Sequence, residues 1–169
     1  VALQALRLLA TDRPAVNVVA VAATQEEISF AGAFNVAWQL TPQVAIAIDV
    51  THATDYPGAD KKGDNDVRVG GGPVLGRGSS VNPKVFAGLR DAARHLGVSA
   101  PVQALGRSTG TDADPIVRSG ANVAVGLISI PNRYMHSPNE VVSLSDLDAA
   151  ARVIAEFVRS ITPESDFRP

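Results

Sequence analysis

A chain of 169 residues with 46% hydrophobic and 19% charged side chains is long enough for one domain with its own core, and too apolar to stay disordered. Its net charge of −2, with no basic face, argues against nucleic acid as a partner. The lack of cysteine excludes disulfides, thiolate metal sites and cysteine catalysis, and no apolar run approaches the length of a bilayer span, so no membrane partner is expected.

The first residue is Val1, and Ala2 to Ala10 already reads as helix with no N-cap before it, which predicts a start inside a larger fold. Asp12, Arg13 and Pro14 end it. Val16, Val18, Val19, Ala20 and Val21 form a β-branched run suited to a strand covered on both faces, and the run stops on Gln25, Glu26 and Glu27. Gly32 to Leu40 predicts a helix with Phe34 and Trp38 on one face, four residues apart. Val44 to Ile48 predicts a second strand ending on Asp49, and helix between apolar strands is the pattern of a parallel sheet. Thr51 to Asn65 reads as loop.

Val67-Arg68-Val69 and Pro73-Val74-Leu75 look like short strands or a hairpin. Asn82-Pro83 opens a helix, with Asn82 as N-cap and Val85, Phe86, Leu89, Ala92, Ala93 and Leu96 on one face before Gly97 closes it. Pro101 to Leu105 is a weak strand, Ile116 and Val117 lie in a helical turn, and Val123 to Ile130 is the third main strand. Ser143 or Ser145 caps the last helix, where Asp146 and Asp148 favour the dipole and Leu147, Ala150, Ala151, Ile154 and Val158 face the core. Glu164 to Pro169 reads as a loose tail. The expected fold class is α/β, a mostly parallel sheet flanked by helices.

Three predicted strands thus run out into Glu26-Glu27, Asp49 and His136, and strand carboxyl ends are where ligands collect in such sheets. On an extended backbone the adjacent acids point to opposite sides, so a matched glycosidase pair suits them less than one metal ligand beside one acid–base group. A solvated strand end is the plain alternative. Asp49 closes an apolar strand, where desolvation disfavours its charge unless a metal, an N-cap or an ion pair compensates. His52 reads equally as a partner behind a ligand or as a loop histidine. His136 sits in a loop stiffened by Pro131 and Pro138, at the same predicted edge. His95 lies at a helix C-terminus and is assigned no function. Gly70-Gly71-Gly72 and Gly76-Arg77-Gly78 lack the ending and context of a phosphate loop and read as turns.

Several long segments carry a family resemblance. Gln25-Glu26-Glu27, Asp49-Val50-Thr51-His52-Ala53-Thr54-Asp55, Gly78 to Pro83, Thr109-Gly110-Thr111-Asp112-Ala113 and Ile130 to Pro138 together resemble the glutamyl and tetrahedral aminopeptidases. These are two-metal exopeptidases on a zinc-peptidase α/β sandwich. The resemblance implies a metal-dependent aminopeptidase hydrolysing N-terminal residues from peptides, with two divalent ions, zinc or cobalt, in the complete enzyme. It implies Glu26 as the general base, Glu27 and Asp49 as ligands of the two metals, and His136 as the histidine ligand beside Glu27. It further implies homo-oligomers in the full-length parent and a cytoplasmic setting.

The family's earlier histidine, its bridging aspartate and its inserted β domain all fall before Val1. Residues 1–169 are therefore expected to be the C-terminal part of a catalytic domain, short of two ligand residues and inactive alone. Ser29 and Ala31 also depart from the family's usual glycine and arginine. The alternatives are a glycoside hydrolase of the endoglucanase type using paired acids, and a non-catalytic scaffold module.

Overall fold

The computed structural model describes residues 1–63 and 65–168. Nine elements follow in order: α1 (Ala2–Thr11), α2 (Ala31–Leu40), β1 (Val44–His52), β2 (Val74–Gly78), α3 (Pro83–His95), β3 (Val102–Leu105), α4 (Ala113–Arg118), β4 (Ala124–Asn132) and α5 (Leu144–Ser160). The strands form one sheet in the order β1-β4-β2-β3. β1 runs parallel to β4, β2 runs parallel to β3, and β2 meets β4 antiparallel. The sheet is thus mostly parallel and flanked by helices, in the α/β class expected.

β4 is buried along its whole length, which explains its unbroken apolar composition. α3 forms as expected: Asn82 Oδ1 accepts the main-chain N–H groups of Lys84 and Val85, and Pro83 occupies the first turn. Val85, Phe86, Leu89, Ala92 and Ala93 are buried beneath it. Two glycines let α3 approach its neighbours. A Cβ at Gly126 would meet Val85 Cγ1 at 2.6 Å, and one at Gly88 would collide with the Phe157 ring on α5. α5 closes the same side, burying Ala150, Ala151, Val153, Ile154, Phe157 and Val158.

Four expectations need correction, and α2 takes an orientation that its spacing left open. Val16 to Val21 is extended but joins no ladder among the described residues, and Val19 is 66% exposed, because strand composition cannot by itself supply a neighbouring strand. β1 does not stop at Asp49 but continues to His52, pairing with β4 through Asn132. α2 buries Ala33 and Ala37, while Phe34 and Trp38 face outward. Small residues let α2 lie close to α4, and that contact turns the aromatic stripe away. Val67–Val69 forms no strand. It is held instead by Thr54, whose Oγ1 accepts from Val67 N. The chain end is anchored as well: Asn82 Nδ2 donates to Phe167 O, and the Phe167 ring packs edge-on against Phe157. Pro169, the last residue of the expected tail, lies outside the described residues.

Candidate active site

Glu26 and Glu27 occupy a tight turn, not a strand end. Gln25 O accepts the N–H groups of Ile28, Ser29 and Phe30, so the two acids do not alternate as on an extended backbone. Gln25 and Phe30, on either side, adopt left-handed conformations with φ of 62° and 58°. In the loop after β4, Tyr134 and His136 do the same at 60° and 62°. Such conformations cost non-glycine residues about 1–3 kcal/mol each and persist only where surrounding contacts enforce them. Four of them thus bracket the two segments expected to carry chemistry.

The two segments meet. His136 Nε2 lies 3.2 Å from Glu27 Oε1, with both side chains largely exposed. Asp49 is the sixth residue of β1, opposite Ser129 of β4, and is half-buried. Its Oδ1 accepts its own neighbour's N–H, from Val50 at 2.7 Å. Burial raises the Asp49 carboxyl above its usual range, the Val50 bond opposes this, and the charges of Asp112 and Glu27 add to the rise. Glu26 is raised by burial, then by Asp49, Glu27 and Asp112 in that order, while His136 pulls the other way. Glu26, Glu27, Asp49 and His136 therefore share one electrostatic neighbourhood at the carboxyl side of β1 and β4.

Asp112 is a member of this group that sequence reasoning passed over. In the sequence it stands within Thr109–Ala113, and an aspartate preceding a short helix ordinarily signals a cap. Here it occupies the cap position of α4 without capping, and its Oδ1 is buried with no hydrogen-bond partner among the described residues. Burial raises its carboxyl too. Asp114 explains why Asp112 stands there. The buried Asp114 carboxylate accepts the N–H groups of Thr109 and Gly110 and the Ser80 hydroxyl, which fixes the loop entering α4. Burial raises the Asp114 carboxyl, but these donors outweigh it and the group ends below its usual range.

The outer wall of the site is tied by Arg133, which makes a bidentate pair with Asp55: Nε donates to Oδ1 at 2.8 Å and Nη2 to Oδ2 at 2.6 Å. That pair joins the loop after β1 to the loop after β4, where the Tyr56 and Tyr134 rings also pack at 5.4 Å. The remaining histidines stand apart. His52 ends β1 exposed, with no side-chain hydrogen bond among the described residues, and His95 Nδ1 pairs with Glu156 of α5. The Gly70–Gly72 turn holds no anion site, since the Gly70 and Gly72 N–H groups donate to the buried Asp146 carboxylate and the Gly71 N–H to Arg68 O. Asp146 therefore faces inward, where a dipole role alone was expected.

Carboxylates pressed together by burial, one of them with an orphaned oxygen, form a donor set that suits a hard or borderline divalent cation. Among the described residues, however, no three His, Asp or Glu groups converge closely enough to hold an ion alone. The donor chemistry fits a metal, while the ligands stand as one contacting pair and separate carboxylates.

Residues 1–153 match the M42 glutamyl aminopeptidase family, and the chain belongs to that family. It is 33% identical over 153 residues to a lysyl aminopeptidase of Pyrococcus furiosus, covering 90% of this chain and 43% of that protein. An aminopeptidase from the archaeon Desulfurococcus kamchatkensis superposes with a TM-score of 0.85 at 37% identity, over 95% of this chain and 46% of its own. The TET1 peptidase of Pyrococcus horikoshii, described as assembling into a tetrahedron or a large octahedral shell, matches at TM-score 0.63 and 25% identity over 82% of this chain and 40% of its own. The chain spans less than half the length of these relatives. No helix among the described residues is long and apolar enough to cross a membrane.

Proposed function

We propose that this chain supplies the C-terminal part of the catalytic centre of a metal-dependent aminopeptidase. The observation that carries the reading is the meeting of His136 with Glu27 beside the crowded carboxylates of Glu26, Asp49 and Asp112. Glu27, Asp49 and His136 are the residues that would hold two divalent ions, zinc or cobalt. Such ions, when bound, polarise a peptide carbonyl and lower the pKa of water.

Glu26 takes the role of general base. Its carboxyl, raised by burial and by its acidic neighbours, is a better proton acceptor near neutrality than an ordinary glutamate. It would remove the proton from the attacking water and pass it to the leaving amine. Its place in the Gln25–Phe30 turn holds it next to Glu27 without sharing that residue's contact to His136. Peptides with a free N-terminus are the substrate class, and Glu27, Asp49 and His136 supply only part of the ligand set that two ions need. On this reading the isolated chain is inactive or nearly so. A homo-oligomeric, cytoplasmic parent enzyme completes the proposal, on the analogy of the shell-forming relative.

Calorimetric titration of the 169-residue chain with zinc or cobalt tests the site. Binding that Glu27→Gln or His136→Ala weakens at least about tenfold supports it. Binding insensitive to both overturns it. A glycosidase built on paired acids would need no metal at all, and chelator-resistant glycan hydrolysis by a protein carrying this chain would favour that alternative.

A further inference from the structure

The loop between β4 and α5 delivers His136, and its geometry depends on a residue with no role in the reading so far. Glu140 Oε1 accepts the main-chain N–H of His136 at 2.6 Å, and Oε2 accepts Asn132 Nδ2 at 3.0 Å. Asn132 is the last residue of β4 and is only 2% exposed. Its own carbonyl is fixed, because it accepts the Ala53 N–H just beyond β1. The loop is closed behind Glu140 by a two-way bridge between Arg133 and Val141. One exposed carboxylate thus links an immobile strand end to the amide of a histidine held at φ 62°.

We propose that Glu140 is a positioning residue for His136, holding the histidine backbone left-handed so that the ring faces Glu27. The inference rests on the reading of His136 as a metal ligand for its functional consequence, but its geometric content does not. An ionised carboxylate is acceptor-only, so it can take both donors at once and makes charge-assisted bonds that neutral acceptors do not match. Without it, nothing in the loop holds the His136 N–H. Ser137 N donates to Tyr134 O and Asn139 N to the Ser137 hydroxyl, and neither bond restrains His136 itself. The backbone would relax toward the right-handed region favoured by non-glycine residues, and the ring would leave Glu27.

Two measurements on the 169-residue chain decide this. The first uses no metal. Nitrogen-15 spectra at one fixed pH follow the His136 ring, and hydrogen exchange follows its amide. In the parent sequence, Glu27→Gln should shift the His136 Nε2 resonance. In a Glu140→Ala background the same substitution should leave it unmoved, and the His136 amide should exchange about tenfold faster or more. Glu140→Gln should restore much of the parent behaviour, since Asn132 can turn its amide to present Oδ1, now unpaired, to the new side-chain NH2.

The second is a zinc-affinity cycle. Glu140→Ala should weaken binding about tenfold, but should add nothing once His136 is alanine. An undiminished effect in the His136→Ala background would mean Glu140 acts otherwise, and the proposal fails. It fails equally if Glu140→Ala leaves both the amide exchange and the Glu27-dependent ring shift unchanged. Absence of zinc binding in the 169-residue chain, whose ligands do not converge to hold an ion alone, would leave the metal-free spectra to judge Glu140.

Discussion

His136 Nε2 stands 3.2 Å from Glu27 Oε1 although 109 residues separate them in the chain. The contact exists because two irregular segments, each strained into left-handed conformations, are brought to the same side of the sheet by β1 and β4. An exposed pair of this kind contributes little to stability. Glu27→Gln and His136→Ala should therefore leave the melting temperature nearly unchanged while both weaken zinc binding. Thermal melts beside zinc titrations check this, and a loss of fold in either variant would show that the contact is structural after all.

The raised carboxyls set a pH dependence of definite sign. Glu26, Asp49 and Asp112 have folded values above their unfolded ones, so the stability they contribute is present below the unfolded values and is lost as pH rises through the folded ones. Asp55 and Asp114 are lowered, Asp55 mainly by its bond from Arg133, so their contribution is present above the unfolded values and fails as pH falls through the folded ones. Asp112→Asn removes a carboxyl that resists ionising. It should raise the melting temperature at pH 7 and do little at pH 4. A lowered melting temperature at pH 7 would contradict the burial argument.

Asp114 is the structural counterpart. Its buried carboxylate satisfies two main-chain donors and the Ser80 hydroxyl, so Asp114→Ala leaves three partly exposed donors without their acceptor. A cost of about 1–3 kcal/mol follows from the loss of those bonds. Urea titration should show it as a lower midpoint with an unchanged slope. A change below about 0.5 kcal/mol would mean that the Thr109–Thr111 loop is held by other contacts.

The elements readable in the sequence were those whose signals are local. Asn82-Pro83 and the apolar spacing behind it define α3, and the uninterrupted run from Val123 to Ile130 belongs to a strand buried on both faces. The site was legible as a set of residue types at predicted strand ends and as a family pattern. What could not be read was pairing across long stretches. Asp146 binds Gly70 and Gly72 some 76 residues away, and Arg133 binds Asp55 across 78, and no periodicity announces either. Val16 to Val21 failed for a related reason. Residue propensity describes what a strand is made of, but pairing depends on what lies beside it.

Trp38 is the sole tryptophan and is 65% exposed, on a helix whose aromatic face points away from the core. With Phe34, Leu40, Ile28 and Val19 also exposed, the chain offers apolar surface to dyes and partners. The isolated chain should show red-shifted, readily quenched tryptophan fluorescence and should bind an apolar dye. Trp38→Ser should reduce dye binding with little effect on melting temperature. Blue-shifted, quencher-resistant emission at low concentration would mean that something covers this face.

The roles within the carboxylate pair separate by experiment in a protein that carries this chain together with whatever completes the site. Glu26 makes no contact to His136, whereas Glu27 does, and Glu26 carries the raised carboxyl expected of a base. Glu26→Gln keeps the shape and removes the proton acceptor, so peptide turnover should fall by about two to four orders of magnitude, the usual worth of general base catalysis. Bound metal should stay near the parent level. Glu27→Gln exchanges an anionic ligand for a neutral one and should lower metal content and activity together. Metal analysis beside the rate of N-terminal residue release distinguishes the two. If Glu26→Gln loses its metal while Glu27→Gln keeps it, base and ligand are the other way round.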